Sequence, residues 1–184
     1  MAYDNETFYV DEQPPEIIKT VGDPNCSHLD TDCGCLNEGD YCVTTQTPIT
    51  LAAVENGCCI NDTITIQYRI DEFDINGDKW ITGGWQTYTG PFTFPTECMH
   101  RLVVRAYDCL KNGYDDAFWH YETFYVDDQE PEIDKVVTLP KCEIPGAEEL
   151  CVTTDTAIYF TAWDNGCCPC EIDFEYRVWN ESGQ

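Results

Sequence analysis

Basic residues are scarce. The 184-residue chain has 9 Lys plus Arg against 35 Asp plus Glu, a formal net charge of -26. Phosphate backbones are bound largely through Lys and Arg that release counterions, so nucleic acid is excluded as a natural partner, and an anionic membrane surface with it. No run of 18 apolar residues exists, so the sequence offers no membrane span. The opening Met1-Ala2-Tyr3-Asp4 lacks the basic and apolar regions of a signal peptide. There is no Gly-rich phosphate loop and no nucleophile elbow, and the three histidines show no spacing that sets one beside a nucleophile. Carboxylates are too many for any pair to mark a glycosidase. The sequence therefore predicts no enzyme.

Cysteine is plentiful. Thirteen in a chain of this size suit an oxidising, extracellular setting better than a reducing cytosol.

The chain also repeats itself, out of phase with its own ends. Glu6-Thr7-Phe8-Tyr9-Val10-Asp11 recurs as Glu122-Thr123-Phe124-Tyr125-Val126-Asp127, an offset of 116. Pro15-Glu16-Ile17 answers Pro131-Glu132-Ile133, and Cys26 answers Cys142. The offset then drops to 109: Cys42-Val43-Thr44-Thr45 becomes Cys151-Val152-Thr153-Thr154, and Asn56-Gly57-Cys58-Cys59 becomes Asn165-Gly166-Cys167-Cys168. Tyr68-Arg69 returns as Tyr176-Arg177. Residues 1–13 thus copy only the last strand of a unit, 14–128 make a complete unit, and 129–184 give the first half of another.

Within a unit the period is that of strands. Ile64, Ile66, Tyr68 and Ile70 alternate with polar neighbours, as do Leu102, Val104 and Ala106 with Arg101, Val103 and Arg105. No helical stripe with caps is present. The fold class expected is all-β, tandem β-sandwiches braced by disulfides. Strands are predicted near 15–20, 48–54, 62–70, 79–82, 85–93, 99–107 and 118–127.

The order Tyr68-Arg69-Ile70-Asp71, Trp85, Gly90-Pro91-Phe92, His100-Arg101-Leu102, Ala106-Tyr107-Asp108, Asn112-Gly113 and Tyr125-Val126-Asp127 before Pro131 resembles the immunoglobulin-like tandem repeats of large archaeal and bacterial cell-surface proteins. The resemblance implies an extracellular building block of a filament, sheath or surface layer.

Disulfide candidates are Cys26, Cys42, Cys58, Cys59, Cys98, Cys109, Cys142, Cys151, Cys167, Cys168 and Cys170. The simplest pairing closes each local loop, Cys26 with Cys42 and Cys142 with Cys151, and Cys98 and Cys109 could link across strands to the adjacent pair Cys58-Cys59. A zinc site at Cys26, His28, Cys33 and Cys35 is the competing reading. Sequons stand at Asn5, Asn25, Asn61 and Asn180, where 9 Asn and 22 Ser plus Thr would give about one by chance, so exposed glycosylated surface is expected.

No motif requires a cofactor. Ca2+ is the ion the acids would suit, either at Asp74, Asn76 and Asp78 or at a joint between units formed by Asp108, Asp127 and Asp128. An Asn-Gly turn is the plainer reading of the first. The phase of the repeat points to partners: copies of the chain itself, or adjacent repeats of a longer one. Strand 1–13, through Phe8 and Val10, could be donated to the open half-unit of a neighbour and propagate a filament. The alternative is an adhesive or glycan-binding module within a longer array, stacking sugars on Trp80, Trp85, Tyr88 and Trp119.

Overall fold

The structure is a computed structural model and describes residues 5–27, 29, 36–58, 64–146, 150–168, 172 and 175–178. Cys59, Cys170, Asn61 and Asn180 lie outside the described residues, as do His28, Cys33 and Cys35 of the zinc alternative.

The architecture is all-β. In chain order the strands are β1 Glu16–Val21, β2 Asn25–Ser27, β3 Tyr41–Val43, β4 Ile49–Val54, β5 Thr65–Asp74, β6 Lys79–Ile81, β7 Gln86–Thr87, β8 Cys98–Tyr107, β9 His120–Val126, β10 Glu132–Val137, β11 Lys141–Glu143, β12 Leu150–Val152 and β13 Ile158–Trp163. A 3-10 turn, Asp116–Phe118, precedes β9. The chain divides into two compact units: residues 1–128 together with 167–170, and residues 129–166 together with 171–184.

In the first unit β1 and β4 form an antiparallel ribbon, and a seven-stranded sheet runs β2-β3-β9-β8-β5-β6 with β7 also on β5. The ladders are antiparallel except β3 with β9, which is parallel and sets Tyr41 against Phe124 and Val43 against Val126. Ile49 and Leu51 from the ribbon meet Val43, Tyr68, Leu102, Val104, Phe124 and Val126 from the sheet in one core, capped by Phe94. Full burial of such side chains stabilises by about 1.5–3 kcal/mol each, which is why the alternating apolar positions face inward.

Strand β8 departs from the simple alternation. Val103 and Arg105 are buried as fully as the inward set, because the outer face is roofed by a stack of rings and guanidinium groups. Arg105 lies 4.1 Å from the Trp85 ring and 4.2 Å from that of Tyr114, while Arg69 lies 5.0 Å from Trp85 and Arg101 4.6 Å from Trp80.

Strands β10–β13 of the second unit repeat β1–β4 of the first. Strands β10 and β11 stand 116 residues after β1 and β2, and β12 and β13 stand 109 after β3 and β4. The turn chemistry repeats as well. Thr47 Oγ1 donates to the Pro24 carbonyl and accepts from the Thr44 N–H, as Thr156 Oγ1 does with Pro140 and Thr153.

Candidate functional site

Three arrangements bear on function, and each compares a position in one copy of the repeat with its equivalent in the other.

The first concerns β9. Phe124 and Val126 are fully buried, and Glu122 forms an ion pair with Lys19, whose ammonium lies 4.0 Å from the Tyr41 ring. Burial pushes the Lys19 pKa down and the Glu122 carboxylate opposes that shift. One repeat earlier, Phe8 and Val10 occupy the equivalent positions, yet they are 75% and 82% exposed, and residues 5–13 belong to no ladder among the described residues. The second unit has the complementary deficit. Val43 and Ile49 are 3% and 0% exposed, whereas their equivalents Val152 and Ile158 are 49% and 48% exposed. Ile158 also lines an open cleft of about 570 Å³, together with Lys135, Phe160, Tyr176 and Val178. Lys135 is the equivalent of Lys19.

The second arrangement is the cysteine pair Cys167-Cys168. Cys42 of β3 bonds Cys168, with Cα atoms 5.8 Å apart, and Cys98 at the start of β8 bonds Cys167, with Cα atoms 4.8 Å apart. This corrects the expected local closure of Cys26 with Cys42. The two do stand opposite one another on β2 and β3, but the Cys42 sulfur is committed to a cysteine 126 residues away. Cys142 and Cys151 also stand opposite one another, on β11 and β12, and are exposed and unbonded. Hydrogen bonding to Cys142 raises the Cys151 pKa. Cys58 is exposed and unbonded, and Cys109 is exposed and outside the two bridges.

The third is acidic. Among the described residues the carboxylates of Asp108, Asp127 and Asp128 are not found gathered as the expected joint. Asp128 takes the Thr45 N–H and hydroxyl, and Asp127 takes the Cys168 N–H. Asp108, 3% exposed, instead gathers with Asp11 and Glu55, one oxygen of each lying within 4.8 Å of the others. Asp11 accepts from the Gln13 and Cys58 N–H groups and Glu55 from that of Gly57. Asp108 accepts from the Leu110 and Asn112 N–H groups and from Asn112 Nδ2, which also donates to the Asp11 carbonyl at 3.2 Å. Gly113 allows this turn: its φ is +90°, and a Cβ there would strike the Ala106 carbonyl. Glu55 Oε2 is buried and has no hydrogen-bond partner among the described residues. The sequence held a signal for Asp11, in the repeated hexapeptide, and none for Glu55.

At the other calcium candidate, Asp74 Oδ1 accepts the N–H groups of Asn76 and Gly77, both at 3.1 Å, and Asp78 adopts φ +46°. That is a side-chain-capped turn between β5 and β6. Among the sequons, Asn5 is exposed, and Asn25 Nδ2 donates to the Gly22 carbonyl and to Asp23. The rings suggested as a sugar platform are engaged by protein: Trp85 meets Trp119 edge to face at 4.9 Å, Trp80 meets Phe73 at 5.2 Å, and Tyr88 packs on Tyr68 and Phe92.

Compared with protein-family models, curated proteins and solved structures, the chain matches none of them.

Proposed function

We propose that this is an extracellular structural protein of a prokaryotic surface, built of immunoglobulin-like repeats that join head to tail by strand donation. The strand at residues 6–10 of one copy enters the open second unit of another, beside β12. The observation that supports this reading is the inversion of burial at equivalent positions: Phe8 and Val10 are exposed where Phe124 and Val126 are core, and Val152 and Ile158 are exposed where Val43 and Ile49 are core.

The register follows from the first unit. There β3 pairs Tyr41 with Phe124 and Val43 with Val126, so β12 would pair Leu150 with Phe8 and Val152 with Val10. Glu6 then reaches Lys135, as Glu122 reaches Lys19. Backbone hydrogen bonds satisfy the open edge, and burial of Phe8 and Val10 supplies about 1.5–3 kcal/mol each. The same end enters every next copy, so the contact is heterologous and propagates.

Light scattering on the full chain with its internal disulfides intact, wild type and Cys58→Ser, tests this. Mass should grow with concentration, deletion of residues 5–10 should leave monomers, and Lys135→Glu should weaken association that Glu6→Lys then restores. A chain that stays monomeric at every concentration, or that assembles equally well without residues 5–10, overturns the reading.

Calcium belongs to this reading at Asp11, Glu55 and Asp108, where three carboxylates suit a hard oxygen-seeking cation and Glu55 Oε2 has no hydrogen-bond partner among the described residues. The glycan-binding alternative is not favoured, since Trp85 is covered by Arg69 and Arg105, and Trp80 by Arg101.

A further inference from the structure

We propose that the strand-donated contact is locked covalently, by a disulfide between Cys151 of the accepting copy and Cys58 of the donating copy. The inference rests on the strand-donation reading and adds a bond to it.

The first unit shows what a cysteine at this place on the strand does. Cys42, in the middle of β3, does not bond the cysteine facing it on β2, which is itself in another disulfide, and bonds instead the second cysteine of the pair that follows Asn165-Gly166. That pair reaches the bridging position because the chain leaves β9 at Asp127, whose carboxylate accepts the Cys168 N–H at 3.2 Å. Cys151 is the equivalent of Cys42 and is unbonded. In the donating copy, the chain leaves the 6–10 segment at Asp11, whose carboxylate accepts the Cys58 N–H at 2.7 Å. Cys58 aligns with Cys167 in sequence, but this hydrogen bond gives it the role that Cys168 has beside Asp127. A donated strand that sets Tyr9 opposite Cys151, as Tyr125 stands opposite Cys42, therefore carries Cys58 with it toward Cys151. Cys58 is exposed and unbonded.

The bond forms by oxidation of two thiols. The thiolate of one cysteine attacks oxidised glutathione and releases one glutathione thiolate. The second cysteine displaces the other glutathione as its thiolate, so one small-molecule disulfide is reduced for each link formed.

The test incubates the full chain with oxidised and reduced glutathione, then applies non-reducing electrophoresis and peptide mass mapping. The expected result is a ladder that collapses on reduction, with a cross-linked peptide joining Cys58 to Cys151. Cys58→Ser and Cys151→Ser should each abolish the ladder, and Cys142→Ser should leave it. An internal Cys142–Cys151 bridge without a ladder, or a ladder that survives Cys151→Ser, overturns the proposal. If light scattering shows assembly of the wild-type chain and no link forms, the clasp fails while strand donation stands. A chain that neither links nor assembles sinks both.

Discussion

The Asp127 carboxylate accepts the backbone N–H of Cys168, 41 residues further along the chain. Through that bond the end of one repeat holds the cysteine pair of the next against strands β3 and β8. The two disulfides made there close loops with separations of 126 and 69 residues. By loop entropy each, taken alone, constrains the unfolded chain by about 4.5–5 kcal/mol. Peptide mapping of the oxidised protein should recover Cys42–Cys168 and Cys98–Cys167, and reduction should lower the urea midpoint of the first unit sharply. Recovery of Cys26–Cys42 would contradict the pairing.

Asp11 plays the corresponding part for Cys58, and its charge has a chemical consequence. Local desolvation, and then the Asp11 carboxylate, hold the Cys58 thiol above its ordinary pKa. A raised thiol pKa means less thiolate at a given pH, so alkylation of Cys58 near pH 8 should be slower than that of glutathione, and the gap should narrow as pH rises through the folded value. Asp11→Asn removes the negative neighbour, lowers the pKa and should speed the reaction. Alkylation rates by mass spectrometry across that pH range check the sign; an unchanged rate in Asp11→Asn would remove the carboxylate from the explanation.

Much of this fold was legible beforehand because its main signals are local. The offsets of 116 and 109 recur in the strands themselves, and β1, β4, β5, β6, β8 and β9 lie on the predicted segments. Strands β2 and β3 were missed, since three residues cannot display a period of two. The predicted strand at 85–93 is a two-residue strand plus an isolated bridge at Phe92, because Gly90-Pro91 interrupts the ladder. Disulfide pairing was illegible for a different reason. Cys26 and Cys42 are 16 residues apart in sequence and face each other across β2 and β3, and only the path of the chain from Asp127 shows that Cys42 bonds elsewhere. Likewise Asp11, Glu55 and Asp108 are 44 and 53 residues apart in sequence, so no local motif could gather them.

That acidic group gives the third prediction. Three ionised carboxylates with oxygens within 4.8 Å of one another repel, and a cation between them would relieve that repulsion. Calcium should raise the melting temperature, a chelator should lower it, and Glu55→Gln should cancel the difference by removing a charged ligand. Differential scanning calorimetry with and without chelator is the measurement. Identical transitions in both would show that the surrounding N–H donors alone suffice.

The fourth prediction concerns Asp71, which has no exposed surface and lies between two cations. Arg101 Nη2 donates to its Oδ2 at 2.8 Å, Arg69 Nε lies 3.1 Å from its Oδ1, and the Gly83 N–H donates to the same Oδ1 at 3.0 Å. Arg101 and Arg69 in turn support Trp80 and Trp85, so this carboxylate anchors the roof over β5 and β8. Asp71→Ala would leave two largely covered guanidinium groups without their counter-charge, at a cost of about 3–5 kcal/mol. Asp71→Asn keeps an acceptor of the same shape and loses only the charge, so it should cost less. Urea unfolding followed by tryptophan fluorescence separates the cases. If Ala and Asn cost the same, the ion pairs contribute little and the shape of the side chain is what holds Gly83 and the roof in place.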